Sequence, residues 1–212
     1  PEAAEIGKEA GGEATASTEA ELEKAIAAAA APTTIRLTGS FQLTSEFIDI
    51  NGKKEITLDL NGQTVSPAAK NPSPNAIFVV QGGASLTIAD SMGTGKLDGL
   101  NEGMLVAVYN EGSVATLKGG TLCRADQNAA VAADGGMLVL DGAAIRDCQD
   151  AVAVNVMEGT FLMKGGAIDH IDIIDNINMG GSVMIAGGSM VMSGGTIQDC
   201  SGSAGGIYLG GG

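Results

Sequence analysis

Apolar and polar residues alternate along most of the chain in short runs. Each run stops at a pair of glycines, resumes, stops at a polar turn, and resumes again. Alternation at period two predicts strands with one buried and one solvated face. The stretches "SVATLKGGTLCRA" (113–125), "MLVLDGAAIRDC" (137–148), "TFLMKGGAIDHI" (160–171) and "SMVMSGGTIQDC" (189–200) are copies of one unit. Looser copies are "EITLDLNGQTVSP" (55–67) and "SLTIADSMGTGKLDG" (85–99). The copies recur every ~23 to 29 residues, a solenoid period.

Each unit reads as three short strands. The second strand places Leu122, Ile145, Ile168 and Ile197 in one column, and the third strands are "AAVAA", "AVAVNV", "SVMIA" and "GGIYL". The units contain no helical period, which excludes leucine-rich, ankyrin and tetratricopeptide arrays. Stacked units set each strand parallel to its equivalent ~4.8 Å away. The expected fold is therefore all-β, a single-stranded parallel β-helix with three short strands per coil, in which no coil buries its own face alone.

A second column, three residues on, holds Ala125, Cys148, Ile171 and Cys200. Cys148 and Cys200 are a whole coil apart, roughly 10 Å at this spacing. That is beyond the ~7 Å a disulfide tolerates, so both are expected as free, buried thiols. Cys123 is expected to be more exposed. No C-x-x-C pair occurs and there is one His, which argues against a zinc site.

The N-terminal residues differ. Residues 1–17 are acidic and poor in apolar side chains, and read as a flexible tail. Over about 18–31, Thr18 and Glu21 stand at capping-box spacing, Leu22, Ile26 and Ala29 share a face, and Pro32 is a stop. This predicts a short α-helix covering the raw end of the first coil. Residues 18–212 then form one β-helix domain, expected to be cut short at its C-terminal end. The chain starts at Pro1 without Met, which suggests a mature fragment or a trimmed sequence.

Composition narrows the partners. Net charge is −14, which repels nucleic acid and anionic membrane surfaces alike. No apolar run approaches the ~20 residues of a membrane span. Gly is 33 of 212 residues without a G-X-Y period, so the glycines serve chain reversals rather than a collagen helix.

"EITLDLNGQTVS", "GGASLTI" and "MSGGTI" with its looser copies, together with Leu22, Ala25 and Ile26 upstream, carry a resemblance. The chain resembles right-handed parallel β-helix proteins of the pectin-lyase-like superfamily. Within it, the chain is similar to adhesin-like surface proteins of gut and Gram-positive bacteria. The resemblance covers about residues 18–212. It implies a right-handed coil, secretion to the cell surface, and further modules after the β-helix. It assigns no reaction.

The superfamily includes polysaccharide lyases and hydrolases, so acid–base sets matter. One column holds Arg124, Asp147, His170 and Asp199 on successive coils. It reads either as an acid–base set or as a charge ladder along a solvated turn. In "DHIDIIDNINMGG" (169–181), Asp169, Asp172 and Asp175 would make a weak Ca²⁺ site, or else an acidic surface loop. No other cofactor is expected. Two Tyr and no Trp make a poor sugar platform. An ice-binding face would need ranks of Thr, and the Thr residues are not expected to fall in such a column. The reading favoured is a non-catalytic rigid spacer or adhesive display module. The alternative is a polysaccharide lyase, glycoside hydrolase or glycan-binding domain. A carbohydrate or host-surface ligand, and a further domain or molecule over the last coil, are the partners expected.

Overall fold

The computed structural model describes residues 12–68, 76–126, 129–173, 181–202 and 205–210. Strand β1 (Gly12–Ala16) leads into helix α1 (Glu19–Ala28), the single helix among the described residues. Then β2 (Thr33–Leu37), β3 (Phe41–Gln42) and β4 (Ile48–Ile50) make one turn of the chain. Strands β5 (Glu55–Asp59), β6 (Thr64–Ser66) and β7 (Phe78–Val80) make the next, followed by β8 (Ser85–Ala89), β9 (Lys96–Asp98) and β10 (Val106–Tyr109). The pattern continues through β11 (Val114–Leu117), β12 (Thr121–Cys123), β13 (Ala129–Leu140), β14 (Ala144–Gln149) and β15 (Val152–Met163). It ends with β16 (Ala167–Asp172), β17 (Val183–Ile185), β18 (Ser189–Met192), β19 (Thr196–Cys200) and β20 (Ile207–Leu209). Strands β13 and β15 each close one turn and open the next without a break.

Every strand pairing described is parallel. The architecture is mostly strand, all-β, parallel and solenoid-like, with a thirteen-stranded and a seven-stranded sheet. The inward columns explain why these residues fold this way. Ile35, Leu58, Ile88, Leu117, Leu140 and Met163 are successive Cα partners, and each is 0–1% exposed. In the smaller sheet Val65, Leu97, Leu122, Ile145, Ile168 and Ile197 stack likewise. Burying one such side chain is worth about 1.5–3 kcal/mol, and those inside the stack are buried by the turns on either side, while Ile197 in the last described turn is only partly buried.

Three expectations change. Gly12–Ala16 are not tail: they form β1, in register with Thr33–Leu37. The sheet edge supplies their backbone partners, so a strand forms with little apolar content, and Ala16 is buried. The helix ends at Ala28, short of residue 31, with Ala29 extended at the C-cap. Ala31 precedes Pro32, and a residue before proline is driven out of the helical region. Thr18 is the N-cap as expected, its side chain accepting from Glu21 N, but the Glu21 carboxylate accepts from Ser17 N at 2.8 Å rather than from Thr18.

The cysteines are free. Cys148 stacks on Ile171 as expected and is buried, whereas Cys200 is only half-buried because it lies in the last described turn. Cys123, expected to be exposed, is 6% exposed, set between Asp98 and Arg146 in the register. Burial pushes the Cys148 thiol up to about 12 and raises Cys123 as well. A thiol reagent without denaturant is expected to label Cys200 first and leave Cys148 unlabelled; equal labelling of both would contradict the stack.

Glycine pairs close the corners, and the two members of a pair are not alike. A Cβ on Gly166, at φ +85°, would lie 2.2 Å from Ala143 O of the preceding turn. A Cβ on Gly165 would meet nothing nearer than 3.7 Å. Gly166→Ala should cost about 2 kcal/mol or more from backbone strain and collision. Gly165→Ala should stay within about 0.5 kcal/mol. Urea unfolding of the two variants checks the difference.

Candidate functional site

After β12 and within β14, β16 and β19 the chain passes through a left-handed residue at an equivalent place in each coil. These residues are Arg124, Asp147, His170 and Asp199, with φ of 54°, 55°, 52° and 50°. The four residues picked out as a column therefore occupy one repeated backbone position. Asp and His tolerate this region better than most side chains. Arg does not, and its place there needs a compensating interaction.

That compensation comes from a neighbouring column which the sequence reading missed. Asp98, Cys123, Arg146 and Asp169 are successive register partners one residue earlier. Strand alternation points them outward, yet Asp98 and Asp169 are each 8% exposed. Arg124 reaches Asp98 with both Nε, at 2.7 Å, and Nη2. Arg146 Nη2 lies 3.0 Å from Asp169 Oδ1, and its Nε lies 3.4 Å from Asp147 Oδ2 as an ion pair without a hydrogen bond. His170 Nδ1 is 2.7 Å from the same Asp169 oxygen and 3.4 Å from Arg146 Nη2. The signal that could have exposed this network was the charge pattern within each unit, Asp98 a coil before Arg124 and Arg146 a coil before Asp169.

Burial pushes the Asp98 carboxyl up, but the Arg124 hydrogen bond, Leu100 N–H and the charges of Arg124 and Lys96 outweigh it and hold it below the usual range. Arg124 is raised, chiefly by the hydrogen bond to Asp98. Chemically, the arrangement offers one imidazole oriented by a buried carboxylate, which can move a proton through its other nitrogen. Asp147 and Asp199 lie on the coils either side of His170, in the same column.

Of the acidic trio, Asp169 accepts from Arg146 and His170, and Asp172 accepts from Ser201 Oγ. Asp175 lies outside the described residues. Among the described residues no group of three acidic, His or Cys side chains is placed to hold a metal ion.

The Thr residues do form a column, against expectation. Thr34, Thr57, Thr87 and Thr116 are successive partners on the outer face of the thirteen-stranded sheet. Loops of unequal length between these turns hid the register. It is a single rank, continued by Val139, Leu162 and Val191 and flanked at one end by the Arg36–Asp59 ion pair.

No protein-family model, curated protein or solved structure matches the chain.

Arg124→Met removes the partner of a buried carboxylate while keeping the left-handed strain, and should cost about 1–3 kcal/mol. The sign with pH follows from the depressed Asp98 value. Its contribution is complete above the ordinary carboxylate pKa of about 3.9 and is lost as pH falls through the lower folded value. Arg124→Met brings the folded value up towards the unfolded one, so this acid-dependent loss should shrink, as read by urea midpoints across an acid series.

Proposed function

We propose that this chain is a right-handed parallel β-helix acting as a non-catalytic, rigid display module of a secreted bacterial surface protein. The observation that carries this reading is the unbroken register of the inward column from Ile35 to Met192. A rod in which every turn is fixed by the turns before and after it transmits position along its axis, and its loops are held at set distances. Such a module presents turns and loops to a carbohydrate or host-surface ligand without chemistry of its own. Further domains of a longer chain, or another molecule, cover the last described turn, where Met192 is 44% and Leu209 72% exposed.

A second reading has one observation in its favour. The half-exposed His170, held through Nδ1 by buried Asp169, is the constellation an acid–base enzyme requires. On that reading the face carrying Arg124, Asp147, His170 and Asp199 binds or cleaves an acidic polysaccharide as a lyase or hydrolase.

Oligogalacturonides and host-type glycans, with and without Ca²⁺, separate the two. The display reading expects no new reducing ends or unsaturated products. It also expects small-angle scattering of a stiff rod lengthening by ~4.8 Å per coil. Turnover abolished by His170→Ala and Asp147→Asn would replace it with the enzyme reading.

A further inference from the structure

We propose that β1 and α1 form a separable lid whose catch is a single carboxylate, Glu19, and that the closed lid blocks head-to-tail pairing of this chain with a second copy. The lid adds one strand to the edge of β2 and plugs the core with Leu22 and Ile26, 0% and 4% exposed. Those are the only buried apolar side chains of α1. The third buried residue of the helix is Glu19, 9% exposed, and it faces away from its own helix.

Both oxygens of Glu19 cross to the loop after β3. Oε2 accepts from Thr44 N and Thr44 Oγ1, each at 2.7 Å. Oε1 accepts from Ser45 N at 2.9 Å and from Ser45 Oγ. One side chain thus satisfies both donors of two consecutive residues. At the other end of α1, Lys54 Nζ donates to Ala27 O at 3.2 Å and Ala29 O at 3.0 Å, the terminal carbonyls of the helix. The lid is therefore tied at each end to the turn below it. Loss of the catch frees four donors of exposed Thr44 and half-buried Ser45 to water, and leaves the lid held by the β1–β2 ladder, Lys54, Leu22 and Ile26.

Opening bares the backbone edge of β2 and the inward side chains Ile35 and Leu37. What fits there is another first strand of the same repeat. Strand β18 pairs among the described residues with β15 alone; its inward Met192 is the last member of the column that starts at Ile35, and Met190 of the one that starts at Thr33. A second copy seated through β18 is then the molecule that covers the last described turn, and its contact is heterologous, which propagates rather than closes.

The test uses the full chain carrying Glu19→Gln, followed by hydrogen exchange and sedimentation. Amides of β1, α1 and β2 should exchange at least tenfold faster while those of β11 to β16 keep their rates, and the chain should associate with rising concentration. Faster exchange throughout, or none anywhere, would overturn the separable lid. Opening without association would overturn the second copy as occupant, as would association that survives an added Met192→Lys. If Glu19→Gln does not fold, the unmodified protein in mild urea serves: the lid amides must share one opening event below that of the coils, and a single common event would sink the idea.

Discussion

No turn of this chain can bury its own inward face, and everything else in the structure follows from that constraint. A strand of three to five residues carries two or three inward side chains, and these become dry only when equivalent residues lie above and below. The backbone ladder and the aliphatic stack are thus one interaction seen twice. Parallel pairing fixes the register, the register puts Leu58 on Ile35 and Ile88 on Leu58, and burial of the column holds the pairing. A slip of one residue would send the whole column to the solvent face. Corner glycines are constrained for the same reason. Gly166 lies where the preceding turn's backbone comes closest, and Gly165, its neighbour, does not.

The charged corner shows what happens where the stack cannot supply the stabilisation. A left-handed residue on each coil is a conformational cost that Asp and His bear better than Arg. Arg124 is held there by Asp98, and Asp98 stays ionised under cover because Arg124 is there. One coil on, Arg146 and Asp169 repeat the pairing with the charges moved between columns. Two adjacent columns, one outward on the strand and one at the left-handed turn, thus share their charges across the gap between coils. Of the carboxylates that a catalytic reading would leave facing a substrate, Asp169 and Asp147 are here paired with the Arg146 guanidinium. His170 is the exception, since its partner Asp169 orients it and leaves its second nitrogen free of that contact.

Much of this was legible wherever units kept equal length. The Leu122–Ile145–Ile168–Ile197 column and the Arg124–Asp147–His170–Asp199 column follow the glycine-pair phrase, which marks the register through two equal intervals and across the longer one from Ile168 to Ile197. The Thr34–Thr57–Thr87–Thr116 rank lies where loops differ in length, so its regularity appears only in three dimensions. Burial of Asp98, Cys123 and Asp169 was hidden for another reason. Alternation reports which way a side chain points, not whether the next residue folds back over it. Strand β1 escaped because an edge of a formed sheet recruits residues whose own composition argues for a tail.

The cap illustrates how a repeat architecture is ended. Inside the stack, specificity comes from many equivalent aliphatic contacts, none decisive. At the N-terminal end there is no further coil to supply them, and a helix contributes only Leu22 and Ile26 in exchange. The difference is made up with polar contacts of a kind the coils use sparingly: a carboxylate accepting from four donors, and an ammonium on two helix carbonyls. Burial pushes Glu19 upward, yet the hydrogen bonds from Ser45 and Thr44 outweigh it and keep the group below the usual carboxylate range. Its anchoring is thus complete at neutral pH and lost only as pH falls through that lowered value. A stack held by unspecific burial is thus terminated by specific polar contacts at both ends of α1.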